Sequence, residues 1–326
     1  MKKIWRDRCF SSEDIKRLGS FAEVIDKGYE ELDEEKMRDL IKDADGILTC
    51  WETPRLTEKI LTVADKLKIW CHCAGTVKPH INKEAMDIIW NKNIVVTNTA
   101  AALGRGVAEF TLGMIIAGLK KVFFMQEGIS KGEWSELRGM AVDPYNVTIG
   151  VIGAGYCGSH LIKLLQNFEV KILLYDPYKD EEECRKLGAE KVELGYLLSH
   201  SDIITLHAPN IPENVNLIDE KRIKQIKDEA IFINTARGIE VDEKALIEEL
   251  KTGRFYACLD VTHPEPPAPD NPLRKMKNVF LTPHIAGHAS NGMKRQGKYA
   301  VDELERFFKG EEVKYRVKKE KFDVIA

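Results

Sequence analysis

The stretch "VTIGVIGAGYCGSHLIKLL", Val147 to Leu165, decides how the chain is read. It opens as a β-rich apolar run, breaks at a glycine turn and resumes with the apolar spacing of a helix. Gly153, Gly155 and Gly158 stand in GxGxxG spacing. The first glycine permits a tight turn, the second lets the backbone approach a pyrophosphate, and the third allows close packing of helix on strand. The helix N-terminus then offers free N–H groups and a positive dipole end to phosphate. Alone, this spacing also fits a close-packed βα turn with no ligand. Here a second β-rich run, "VKILLYD", follows and ends at Asp176, 18 positions beyond Gly158. A carboxylate at that distance accepts hydrogen bonds from an adenosine ribose. The stretch therefore predicts a dinucleotide-binding βαβ unit. Asp176 would repel a 2′-phosphate, which favours NAD over NADP, with Lys179 as a nearby countercharge. Cys157 opens the helix, where the dipole lowers a thiol pKa. The alternative is a small filler residue beside the cofactor.

Working outward, β-rich runs alternate with amphipathic Lys/Glu-rich runs almost throughout, the pattern of parallel sheets covered by helices. Before the glycine motif, strands are expected near Ile47–Cys50, Lys68–His72 and Ile94–Thr97, with "DEEKMRDLIKDA", "TEKILTVADK" and "NKEAMDIIWNK" as helices between and beside them. A longer apolar helix is expected from about Arg105 to Phe124, buried at an interface. A polar connection, "QEGISKGEWSELRGMAVDPYN", joins it to the glycine motif. No internal repeat or low-complexity tract stands out.

The 326 residues, 44% hydrophobic and 31% charged, are those of two globular domains. A formal charge of -3 gives no electrostatic footprint for nucleic acid or an anionic membrane. The apolar runs read as too short and interrupted to span a bilayer, and "MKKIWRDRCFSSED" has no apolar segment of signal-peptide length. A cytoplasmic protein is the expectation. Seven cysteines without a CxxC pair argue for reduced thiols. In "CHC", Cys71–Cys73, a strand would put the two thiols on one side and His72 on the other, so no metal is expected there.

Three further segments end apolar runs and carry polar residues that a fold does not need. They are "AIFINTARG" with Arg237, "LDVTHPEPPAPDNPL" with Asp260 and Glu265, and "VFLTPHIAG" with His284. Five prolines in the second fix its shape, so Glu265 is held still. Each of these would be a surface charge or a rigid loop if met alone. In an open α/β sheet, ligands bind beyond the carboxyl ends of the strands, and all three segments leave strands there.

These motifs carry a resemblance. In order, "GVAEFTLGMIIAGL", "GVIGAGYCG", "SDIITLHAP", "INTARG", "VDEKALIEELKTG", "LDVTHPEPP" and "LTPHIAG" are similar to the D-isomer-specific 2-hydroxyacid dehydrogenases. The resemblance implies an α/β fold of two doubly wound domains. A flavodoxin-like substrate domain would take 1–104 plus 289–326, and an inserted Rossmann NAD-binding domain 105–288, with helices near Arg105–Phe124 and Asn291–Phe308 as hinges. It implies hydride transfer between NAD and a small 2-keto or D-2-hydroxy acid. Arg237 would bind the substrate carboxylate and carbonyl, and Glu265 and His284 would form the acid/base pair. Gly153, Gly155, Tyr156, Cys157, Gly158, Asp176, Thr235, Ala236, Arg237, His284 and Gly287 would line the cofactor. Asp260 would lie near the nicotinamide, and the turn at His207, Ala208 and Pro209 would act mainly through its backbone. A homodimer through the NAD-binding domain is implied as well. The same resemblance leaves open an NAD-sensing corepressor-like protein and a formate or phosphite dehydrogenase.

The chain departs from that family in the first domain. Where relatives commonly read "GAGVDNID", this chain has "AGTVKPHIN", Ala74–Asn82. Ala74, Gly75 and Thr76 keep the turn whose N–H groups would hold a substrate carboxylate. Lys78 and His80 are candidates for a phosphate or second carboxylate, against a plain solvated loop. Trp51, just past an expected strand, either lines an apolar part of the substrate pocket or packs.

Overall fold

The computed structural model describes residues 9–25 and 32–324. The opening residues 1–8, read above for a targeting segment, lie outside them. The chain divides into two compact units, Met1–Leu103 with His288–Ala326, and Gly104–Gly287.

In the first unit, strands β1 (Gly46–Thr49), β2 (Ile69–His72) and β3 (Val95–Asn98) form a parallel sheet in that order among the described residues. Helices Glu34–Ile41, Glu58–Thr62 and Lys83–Asn91 bring Met37, Ile41, Ile60, Leu61 and Ile89 onto one face, against Trp70 and Val96. On the other face, helices Ser12–Phe21 and Ser290–Phe308 set Leu18, Ala300, Val301 and Leu304 against Ile69 and Cys71. A sheet covered on both faces needs an unbroken apolar run, which "IWCH" supplies with all four residues buried.

The second unit carries seven parallel strands: β4 (Tyr145–Ile152), β5 (Glu169–Tyr175), β6 (Glu190–Lys191), β7 (Ile203–Leu206), β8 (Ile231–Asn234), β9 (Tyr256–Leu259) and β10 (Val279–Leu281). Their order is β10-β9-β8-β7-β4-β5-β6, a doubly wound sheet whose order reverses between β4 and β7. Side chains alternate between two cores with period two. Ile149, Val151, Ile172, Leu174, Ile231 and Ile233 enter one, and Ile152, Leu173, Ile204, Leu206, Phe232 and Leu259 the other.

Two expectations need correction. The long apolar helix runs from Ala100 to Leu119 rather than from Arg105 to Phe124. Asn98 accepts a hydrogen bond from the Ala100 N–H at its start, and Lys121 breaks it at φ 54°. Phe123 and Phe124 then leave the helix to pack on Phe280 and Tyr256, the first pair stacked at 3.6 Å. By length and composition Ala100–Leu119 is also apolar enough to cross a membrane, so the reading of every run as too short does not hold. Its Ala108, Ile115 and Leu119 are buried against the β4, β7 and β8 side of the sheet, which accounts for its apolarity. The connection after it contains two short helices, Gln126–Ser130 and Ser135–Arg138.

Candidate active site

Each polar segment singled out in the second unit leaves the carboxyl end of a strand of one parallel sheet. Across that edge, in sheet order, come Thr282–Gly287 after β10, Asp260–Glu265 after β9, Thr235–Arg237 after β8, His207–Pro209 after β7, the glycine loop after β4 and Asp176 after β5. Folding alone therefore aligns residues more than 100 positions apart in sequence, with the glycine loop at the reversal of strand order where such sheets bind ligands.

The glycine loop has the shape a dinucleotide needs. Gly153 adopts φ +89°, and a Cβ there would lie 2.8 Å from the His207 carbonyl oxygen. A Cβ on Gly158 would stand 2.0 Å from the Gly153 carbonyl oxygen, so no larger residue lets the helix pack this close. Gly155 is the N-cap of helix Tyr156–Leu165, makes no side-chain cap and faces open space, with nothing within 4 Å of an added Cβ. No side chain caps the start of the helix, and the residues present fit a pyrophosphate. Asp176 is buried; its carboxylate accepts the Ala154 N–H at 2.8 Å and the Tyr178 N–H at 2.9 Å, tying the second strand's end to the glycine loop. Tyr156 is exposed at the helix start. Desolvation pushes the Cys157 thiol up to about 11 despite the opposing pull of Arg237, so it behaves as the filler residue and not as a thiolate. His207 is buried, shares a 2.9 Å hydrogen bond with Thr205 and is held neutral, its pKa lowered by burial to about 4.

His284 and Glu265 meet directly. Their Nδ1 and Oε1 lie 2.7 Å apart, both side chains are about two-fifths exposed, and His284 Nε2 has no protein partner among the described residues. The loop that aims Glu265 is tied down at several points. Its peptide bonds His263–Pro264 and Glu265–Pro266 are cis, Thr262 donates to the Pro264 carbonyl, and Glu243 accepts from the His263 N–H and the Asn271 amide. Arg274 donates to the carbonyls of Pro267 and Ala268. His284 stands at φ 54°, a left-handed conformation that needs outside support. Asp260 supplies it. Almost fully buried, its carboxylate accepts from Thr282 Oγ1 at 2.6 Å and from the N–H groups of Ile285 and Ala286 at 2.9 Å each. The Asp260 carbonyl takes the His284 N–H as well, at 2.9 Å.

Arg237 is half-buried, Nη1 donates to the Ala236 carbonyl at 2.6 Å, and no carboxylate forms an ion pair with it among the described residues. Asn234 braces its turn, accepting from the Ala236 N–H and donating to the Arg237 carbonyl. Thr235 shares a 3.2 Å contact with Thr111. The sequence reading missed the bracing residues Asn234, Glu243, Asn271, Arg274 and Thr282. Their only signal was their place inside or beside the quoted motifs.

In the first unit, Ala74, Gly75 and Thr76 form the turn after β2. Thr99 binds the Ala74 carbonyl, and the Gly75 and Thr76 N–H groups are unspent among the described residues. The candidates nearby are less available than a solvated loop would make them. Lys78 Nζ donates to the Asp323 carbonyl at 3.1 Å. His80 is buried with its ring 4.4 Å from that of His72, and burial lowers its pKa. Trp51 is half exposed and meets both histidines edge-on. Cys71 and Cys73 face the Leu18, Val301 core with their thiols pushed up by burial, while His72 turns to the opposite face. No group of three candidate metal ligands occurs among the described residues.

The family model for the NAD binding domain of D-isomer specific 2-hydroxyacid dehydrogenases matches residues 112–286. The D-3-phosphoglycerate dehydrogenase of Methanocaldococcus jannaschii is 35% identical over 282 residues, covering 86% of this chain and 53% of that protein. The glyoxylate reductase of Thermofilum pendens is 32% identical over 322 residues, covering 95% of this chain and 92% of that protein. The chain thus spans about half the length of the phosphoglycerate dehydrogenases it matches and most of the glyoxylate reductase. Among solved structures, a phosphoglycerate oxidoreductase from Rhizobium etli superposes with a TM-score of 0.81 at 23% identity, covering 96% of this chain and 95% of that one. D-2-hydroxyisocaproate dehydrogenase gives 0.77 at 25% identity, with coverages of 94% and 97%.

Proposed function

Because the chain belongs to the D-isomer specific 2-hydroxyacid dehydrogenase family, we propose that it interconverts a 2-keto acid and a D-2-hydroxy acid, with NAD as its cofactor. The observation that carries this reading is the 2.7 Å His284–Glu265 pair, on the strand edge that also bears the glycine loop and Arg237. The nicotinamide, when bound, supplies or accepts the hydride at the substrate's C2. His284 Nε2 gives a proton to the substrate oxygen in reduction and takes it back in oxidation. Glu265 holds the ring through Nδ1 and leaves Nε2 for the substrate oxygen. Arg237, which forms no ion pair among the described residues, grips the substrate carboxylate with a planar fork and polarises the adjacent carbonyl.

Relatives named for phosphoglycerate, glyoxylate and hydroxypyruvate point to small 2-keto acids as the class. Asp176 favours NAD over NADP, because a 2′-phosphate would approach its buried carboxylate. The unspent N–H groups of Gly75 and Thr76 support a further carboxylate-binding role for that turn. No disulfide links any of the seven cysteines, which suits the reducing cytoplasm. The segment from Val122 to Tyr145 exposes Val122, Ile129, Trp134, Met140, Val142 and Tyr145, and supports a homodimer formed through the second unit.

The test is NADH oxidation by the purified protein against glyoxylate, hydroxypyruvate, pyruvate, and longer, phosphorylated and dicarboxylic 2-keto acids, with His284→Ala alongside. Turnover of one class, falling by about 10²-fold or more in the variant, is expected. No turnover anywhere on the panel, with NADH still bound tightly, refutes the reading.

A further inference from the structure

Glu240 has no place in the chemistry above, yet its setting demands an account. It is fully buried, and neither carboxyl oxygen has a hydrogen-bond partner. Uncompensated burial of a charged carboxylate is among the costliest arrangements in a fold, so the group must be neutral over much of its range. Its position is specific. Glu240 ends the short 3-10 turn Gly238–Glu240, whose N-cap is Arg237. The turn keeps the two residues together, the Glu240 N–H donating to the Arg237 carbonyl at 3.4 Å, and the Arg237 charge acts on the buried carboxyl.

The neighbouring segments bring no competing charge. Asn216 and Ile218 donate their N–H groups to the carbonyls of Ile239 and Glu240, and Gly238 packs against the Thr262 backbone. Of the ionisable residues on these segments, His263 is exposed, and Arg222 donates to the Leu217 carbonyl and pairs with Asp219. Asp219 caps the helix at Glu220, Asp242 caps the helix at Glu243, and Glu243 binds the His263 N–H and Asn271. Arg237 is therefore the charged group that Glu240 senses. Burial pushes the carboxyl up to about 8, and Arg237 pulls the other way.

We infer that Glu240 is a positioning residue that sets the charge Arg237 offers to the substrate. Protonated, it leaves the guanidinium its full positive charge; ionised, it competes with the incoming carboxylate for that charge. The inference rests on Arg237 being the carboxylate contact of the proposed function. The sign follows from linkage. An anion arriving at Arg237 raises the proton affinity of Glu240, so binding takes up a proton, and affinity falls as pH rises through the titration of Glu240. The effect belongs to KM and ligand affinity, while the proton transfer governed by His284 belongs to kcat.

The experiment measures the dissociation constant of oxamate, a dead-end analogue of a 2-keto acid, on the NADH-saturated protein between pH 6 and 9.5. Wild type, Glu240→Gln, Glu240→Leu and Arg237→Ala are compared, with folding checked by circular dichroism. Wild type is expected to lose about tenfold more affinity toward the alkaline end than either Glu240 variant, whose curves keep only the pH dependence they share with it. Proton uptake on binding, read calorimetrically in buffers of different ionisation enthalpy, should be larger in wild type near pH 8 than in Glu240→Gln. A Glu240 variant that parallels wild type in both readouts overturns the inference. If it does so while Arg237→Ala loses affinity at every pH, the role of Arg237 stands and only that of Glu240 falls. If Arg237→Ala binds oxamate like wild type, the proposed carboxylate contact itself has failed.

Discussion

Asp260→Asn separates a residue that holds His284 from one that merely lies near it. The wild-type carboxylate accepts three hydrogen bonds from the turn that carries His284: Thr282 Oγ1 and the Ile285 N–H at Oδ1, and the Ala286 N–H at Oδ2. Asparagine has one acceptor oxygen. In its better orientation it keeps the two bonds at Oδ1 and points an NH₂ donor at the buried Ala286 N–H. One charge-assisted bond is lost, and a buried donor is left facing another donor, a cost of about 3 kcal/mol. For a unit the size of Gly104–Gly287 this lowers the melting temperature by roughly 6–12 °C. The turn can recover that energy by leaving the φ 54° conformation at His284, which moves the imidazole off Glu265. A displacement of about 1 Å costs on the order of 10²-fold in rate. The assay pairs kcat on the best keto acid of the panel with thermal unfolding and NADH binding. The expected outcome is a large loss of kcat, a lowered melting temperature and retained NADH affinity. Wild-type kcat in a variant whose melting temperature has fallen would refute the claim that Asp260 acts through His284. An unchanged melting temperature would refute the hydrogen-bond account itself.

Two further outcomes follow from the structure. Burial holds His72 at about 3 and His207 at about 4, against an ordinary 6.5, so the unfolded chain binds protons that the folded units refuse. Their stabilising contribution is therefore complete above about pH 6.5 and is lost as pH falls toward 3–4, at about 1.4 kcal/mol per pH unit for each, or up to roughly 5 kcal/mol for His72 and 3 kcal/mol for His207. Melting curves between pH 7.5 and 4 should flatten in His72→Gln and in His207→Gln relative to wild type, and equal slopes would contradict this. Asp176→Ala should narrow the preference for NADH over NADPH by about tenfold or more, because it removes a charge that opposes a 2′-phosphate. Initial rates with the two cofactors decide this, and an unchanged ratio would place the discrimination elsewhere.

Much of the architecture was legible because it depends on local periodicity. Apolar runs such as "IWCH" are what strands buried on both faces require, and this one places β2 within a residue of where the structure has it. The glycine spacing was legible because its causes are steric and short-range: a Cβ at Gly153 or Gly158 meets backbone within 2.8 Å or less. The end of helix Ala100–Leu119 was not legible. "KKVFF" continues an apolar helical pattern, and only the stack of Phe123 on Phe280, more than 150 residues away, turns it out of the helix.

By itself the sequence determined the parallel α/β class, the glycine turn and which polar residues end strands, since each depends on the chemistry of neighbouring residues. Tertiary structure decided what those residues meet. It brought Glu265 to His284, spent the Asp260 carboxylate on the turn that carries His284, and turned Lys78 and His80 toward partners in their own unit. It also placed Glu240 in a buried site beside Arg237. Burial and partner choice depend on strand order and on contacts between residues far apart in the chain, and no local pattern encodes them.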